Sequence, residues 1–186
     1  MPVWGWIVVG VAVVVVVLAL IAWAVARRRR SEGLRGRYGP EYERAVEERG
    51  RRREAEAELE WREEKRGRLD IVPLAPEVRD RHVASWREVQ TRFVDEPSAA
   101  LVDADRLVEH VMRDRGYPMD TFEQRAADIS VDHPQVVENY RRGHAVYLAS
   151  DRGEATTEDL RQAVIHYRAL FDELLETRDE AREEVD

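Results

Sequence analysis

The residues of this 186-residue chain best suited to proton transfer or metal binding are five histidines: His82, His110, His133, His144 and His166. None of them follows an acid by three residues, so the Glu-x-x-His pair of di-iron helical bundles is absent. No two lie four apart, which removes the H-E-x-x-H zinc pattern. His82 and His144 fall on apolar stripes of helical spacing, where a histidine is more often a hydrogen-bonded core or boundary residue than a ligand. With no cysteine, the chain offers no disulfide framework, Fe–S site, thiolate zinc site or Cys nucleophile. Its five serines, Ser31, Ser85, Ser98, Ser130 and Ser150, lie outside any G-x-S-x-G elbow, and there is no Gly-rich phosphate loop. Carboxylate pairs abound, but among 38 acids their spacing carries no information. No catalytic, cofactor-binding or metal-ligating residue is nominated, no cofactor is expected, and the sequence does not read as an enzyme.

One stretch is denser in polar chemistry than helix filler requires. It runs Arg115-Gly116-Tyr117-Pro118, Phe122-Glu123-Gln124-Arg125, Asp132-His133-Pro134-Gln135 and Asn139-Tyr140. Aromatics beside arginine are common interface anchors. Tyr117, Arg125, His133 and Tyr140 are therefore the candidate interaction patch. The competing account is a helix–helix corner whose polar groups satisfy buried backbone ends. A third account is an enzymatic or small-ligand site at the 115–140 corner, which requires a concave pocket.

Those residues need a scaffold, and its first element is an apolar one. Val3 to Ala26 is a run of 24 residues without a charge. As a helix it would be about 36 Å long, enough to cross a ~30 Å hydrocarbon core with some tilt. Thirteen Val, Ile or Leu residues between Ile7 and Ala26 favour insertion by roughly 4–8 kcal/mol. Trp4, Trp6 and Trp23 lie near the two ends, where indole prefers the interface. A cleaved signal peptide is the rival reading, but the basic n-region is missing and the apolar stretch is too long for it. Arg27, Arg28, Arg29 and Arg30 follow the run directly, and the positive-inside rule then puts the N-terminus outside and the rest in the cytoplasm. Residues 1–26 read as a single-pass plasma-membrane anchor.

Residues 27–69 read as a basic collar and a charged stalk. Arg35 and Arg37 extend the collar, while Gly33, Gly36 and Gly39 suggest a flexible joint. A helix is expected from Glu41 to Arg66 with Pro40 at its start, with Leu34, Tyr38, Tyr42 and Val46 sharing one face. Its second half is rich in opposite charges three and four apart and poor in apolar stripe residues, which suggests a solvated helix rather than a coiled coil.

Residues 70–176 read as a bundle of about five helices, each with a start signal. The first two follow Pro76 and Pro97. A third opens at Asp120 as cap, with Glu123 completing a box. A fourth starts at Pro134, and a fifth is capped by Thr156 or Thr157. Helical stripes run through Trp86, Val89 and Phe93, through Leu101, Val108 and Val111, and through Tyr167, Leu170 and Leu174. No segment alternates with period two. The fold class is all-α: one transmembrane helix, a charged stalk helix and a small helical bundle. Residues 177–186 form a charged tail expected to stay solvated.

Charge separates along the chain, from net +4 over residues 27–69 to net −12 over residues 70–186, within a total of −8. An acidic domain behind a basic collar argues against nucleic acid as the partner. Taken together, the arginine-flanked anchor, RGRYGPEYERAV, and RGYP…FEQRAADISVDHPQVVENYR resemble a group of single-pass membrane-anchored or secreted proteins of high-GC, actinobacterial-type bacteria. The resemblance implies a bacterial plasma membrane and carries no activity. The expected partners are the lipid bilayer and a protein of unspecified identity, with the oligomeric state open. The leading expectation is a membrane-tethered interaction module at the cytoplasmic face. The alternatives are the ligand-binding corner, or an extracytoplasmic domain if the span is cleaved or inverted.

Overall fold

The computed structural model of the chain describes residues 3–176. These residues are all-helical, with no strand among them. The helices are α1 Val3–Tyr38, α2 Pro40–Arg49, α3 Arg52–Arg66, α4 Pro76–Phe93, α5 Pro97–Asp114, α6 Phe122–Asp132, α7 Val137–Asp151 and α8 Thr157–Leu175. The tail at 177–186 lies outside the described residues.

The chain forms two compact units that divide between Glu56 and Ala57. In the first unit, the backbone of α1 is one continuous helix from Val3. The flexible joint expected in the collar is not found: α1 runs through Gly33 and Gly36 and stops only at Gly39, where φ is 51°. Two exposed glycines cost a helix about 1 kcal/mol each, and the residues around them sustain it. Pro40 then takes the first position of α2, as its fixed φ and missing N–H suit. The single helix expected from Glu41 to Arg66 is likewise two. Gly50, at φ 68°, closes α2 in the left-handed conformation and donates its N–H to the Val46 carbonyl. Leu34, Tyr38 and Tyr42 are buried on one face as expected, with Ala45 rather than Val46 continuing it.

Among the described residues no helix is long and apolar enough to cross a membrane. The side chains of residues 3–12, Val14 and Arg27 are not among those described, so the described apolar part of α1 begins at Val13 and ends at Ala26. That length is short of the ~20 residues a span requires. Trp4, Trp6 and Arg27 thus fall outside the described side chains, while Trp23, Arg28, Arg29 and Arg30 are exposed.

In the second unit, α3 is not a solvated stalk. Its Leu59 and Arg62 are buried. Its basic residues are paired with α6: Lys65 donates to both carboxylate oxygens of Asp128, at 2.8 and 2.9 Å, and Arg66 donates to Asp132. Arg62 donates to Ser130. The five helices expected after residue 70 are all present as α4–α8. The third is capped by Thr121 rather than Asp120, its hydroxyl accepting from the Gln124 N–H. The fourth starts at Val137, because Pro134 begins a turn that precedes the helix. Thr156 caps the fifth in a reciprocal box with Asp159.

Helix α5 is the centre of the bundle, packed against α4 on one side and α8 on another, with α7 against α8. Its Leu101, Val108, Val111 and Met112 are fully buried, each stabilising the fold by roughly 1.5–3 kcal/mol. Trp86 of α4 stacks on Phe171 of α8 with ring centroids 4.8 Å apart. Gly116, at φ 93°, ends the α5 turn where Asp70 passes. A Cβ there would come closer to the Asp70 carbonyl oxygen than the 3.0 Å that real Cβ atoms keep. The adjacent Val72 N–H donates to the Arg115 carbonyl at 2.9 Å.

Candidate functional site

The four patch candidates lie at the α5–α6–α7 corner, and three of them are buried: Tyr117 (3% exposed), His133 (5%) and Tyr140 (0%). They fall into two separate polar groups. In the first, Arg125 of α6 donates from Nε to the Tyr140 hydroxyl at 3.2 Å. It also donates to the Asp120 carbonyl at 2.7 Å and to Glu109 Oε1 at 2.6 Å. The Tyr140 ring lies 6.2 Å from Tyr167, and Phe122 stacks on His144 at 3.7 Å. Burial raises the Tyr140 phenol to about 12, against the opposing pull of Arg125. Tyr167 donates to the buried Asp105 at 2.7 Å. Burial, then the Asp105 charge, pushes its phenol well above the ordinary range. Both hydroxyls therefore stay protonated near neutral pH.

In the second group, the Tyr117 hydroxyl donates to Asp132 at 2.9 Å, and Arg66 donates to the same carboxylate. His133 Nδ1 lies 2.9 Å from Glu173 Oε1. Burial lowers its pKa below the ordinary histidine value, with Glu173 opposing the shift. The ring is therefore neutral at pH 7, with Nδ1–H donating to the carboxylate and Nε2 buried without a partner. The guanidinium of Arg115 donates to the Leu174 carbonyl at 2.9 Å and lies over the Tyr117 ring. These contacts link α3, α5, α6 and α8, so the corner residues spend their polar atoms inside the bundle. Asp105, Glu109, Glu173 and Tyr167 complete the two groups. Sequence spacing could not nominate them, since their partners are 16 to 62 residues away.

Two other histidines, His82 and His166, are also engaged structurally. His82 Nε2 lies 2.9 Å from Asp114, and His166 Nδ1 lies 3.1 Å from the Asn139 side-chain oxygen. Among the described residues no cluster of His, Asp and Glu is arranged to hold a metal ion.

A second polar locus lies in the first unit, where α3 turns back on α1. Glu56 accepts hydrogen bonds from Ser31 and, at 2.9 Å, from the Tyr42 hydroxyl. Arg52 donates to the same Tyr42 hydroxyl at 2.6 Å. This knot borders a groove of about 550 Å³. It is lined by Trp23, Ala24, Arg28, Ser31, Glu32 and Arg35 of α1 and by Arg52 and Glu56 of α3. Its volume is in the range of small-molecule sites. No motif announced it, because its lining comes from two helices whose contributing residues are more than fifteen positions apart.

Comparison with protein-family models, with curated proteins and with solved structures returns no match for this chain.

Proposed function

We propose that the chain is a single-pass membrane tether that carries an acidic helical interaction module, held at the cytoplasmic face of the plasma membrane. One observation carries the reading. Val15, Val16, Val17 and Leu18 are 58, 57, 47 and 60% exposed, although four consecutive residues point to every side of a helix. A helix that is apolar all round belongs in an apolar environment. Nothing in the described part of the chain covers these side chains, and a bilayer would. The helical backbone extends unbroken to Val3, so the uncharged run of 24 residues is long enough to span. The exposed Arg28, Arg29 and Arg30 immediately after it favour the cytoplasmic side for the bundle.

The module's net charge of −12 over residues 70–186 suits a partner protein with a basic surface, since complementary potentials steer association. The test is alkaline carbonate extraction of native membranes, followed by solubilisation and partner capture at low and high salt. The reading expects the chain in the carbonate pellet and a captured partner released by salt. Release of the chain by carbonate would contradict the tether. Equal capture by a chain truncated after Gly67 would contradict the role of the bundle.

A further inference from the structure

We propose that the groove beside Trp23 binds the phosphodiester headgroup of an anionic membrane phospholipid, a reading that rests on the tether proposed above. The groove joins two chemistries that a lipid headgroup also joins. Trp23 and Ala24 belong to the end of the apolar run, and Arg28, Arg35 and Arg52 line the polar side together with Ser31 and the carboxylates of Glu32 and Glu56, leaving one net positive charge. Residues 23, 24, 28, 31 and 35 occupy one half of the circumference of α1 at 100° per residue, so this face is continuous. From Trp23 to Arg28 the helix rises about 7.5 Å, the depth of the headgroup layer on one side of a bilayer.

Arg52 reaches this face because the chain reverses at Gly39 and Gly50 and because Glu56 is tied to Ser31 and Tyr42. The Glu56 side chain is only 15% exposed, so it serves as the strut of the groove. The arginines remain open to solvent, with side chains 82, 61 and 58% exposed for Arg28, Arg35 and Arg52. The ion pairs of Arg28 with Glu32 and of Arg35 with Glu43 are surface pairs of little stability, while Arg52 pairs with the largely buried Glu56. Arg28 meets Glu32 through Nε, and Arg52 meets Glu56 and the Tyr42 hydroxyl through Nε, and each guanidinium carries five donors in a fork that matches phosphate geometry. Basic pockets beside membrane helices are established headgroup sites.

The test uses the full-length chain in nanodiscs of phosphatidylcholine with a minor share of phosphatidylglycerol, with retained lipids counted by native mass spectrometry. Arg52→Ala should lower phosphatidylglycerol retention about fivefold, the factor expected from one arginine. Arg29→Ala, which makes the same charge change off the groove, should lower retention clearly less than the groove variants do. Arg35→Gln is the second groove variant, should Arg52→Ala unfold the knot, and it should act in the same direction. Equal losses from Arg29→Ala and the groove variants would overturn the site in favour of diffuse attraction. Displacement of the lipid by millimolar inorganic phosphate would overturn the lipid assignment. Carbonate extraction of the same variants separates the two readings. If all remain in the pellet and retention does not change, the groove fails and the tether stands. If the wild-type chain is extracted, both fail.

Discussion

Replacing Gly116 with alanine isolates the point where the segment leading into α4 crosses the end of α5. The backbone there holds φ at 93°, and a Cβ would press on the Asp70 carbonyl oxygen. An L-residue in the left-handed region costs about 1–2 kcal/mol. Moving Asp70 aside also breaks the hydrogen bond from Val72 to Arg115, worth about 1 kcal/mol. The sum is about 2–3 kcal/mol, a large share of a domain's marginal stability. Gly153→Ala is the matched control, because Gly153 also has positive φ, 71°, but its Cβ would meet nothing within 4 Å. It should cost about 1 kcal/mol. Urea unfolding of the full-length chain in mild detergent, followed by circular dichroism, reads the difference. With m about 2 kcal/mol/M, Gly116→Ala should lower the midpoint by about 1–1.5 M and Gly153→Ala by about 0.5 M. Coincident midpoints for the two variants would refute the close approach of Asp70.

Two further outcomes follow from the buried polar groups. The His133 pKa is lowered in the fold, so as pH falls the unfolded chain takes the proton first. The stability contributed by the neutral ring is therefore complete above about pH 6.5, the unfolded value, and is lost as pH falls from there toward the folded value. The wild type should lose more stability than His133→Gln between about pH 7.5 and about pH 5.5; parallel losses would assign the dependence to other groups. Lys65→Met leaves the Asp128 carboxylate, which is 2% exposed, with Gln124 as its remaining side-chain donor. It should cost about 3 kcal/mol, and adding Asp128→Asn should recover part of that in urea melts. A double variant no more stable than the single one would mean that the pair is not coupled.

The bundle was legible because five helices each carried a start signal and a stripe that could face only one core. Pro76, Pro97 and Thr156 mark starts that the structure keeps. The misplaced starts have local causes. Thr121 outcompetes Asp120 because its hydroxyl reaches the Gln124 N–H, and Pro134 is used in a turn. The charged helix α3 was the larger surprise. Lys65 and Arg66 read as solvent-facing in a strongly charged run, yet their acids lie 63 and 66 residues away on α6. Only tertiary structure reveals pairing at that distance. The patch candidates show the same limit. Tyr117, Arg125, His133 and Tyr140 were recognisable as unusual, but sequence pattern does not tell a buried hydrogen-bond partner from an exposed anchor. The groove residues were scattered across the collar and α3, and the reversals at Gly39 and Gly50 were needed to gather them.

The central claim is a tether with its bundle in the cytoplasm, and topology tests it most directly. Intact mass of the native protein would be measured together with protease accessibility of its C-terminus in spheroplasts. The account predicts the full-length mass and a C-terminus that is digested only after lysis. A chain beginning near Arg27, or a C-terminus digested in intact spheroplasts, would contradict it and move the bundle outside the membrane.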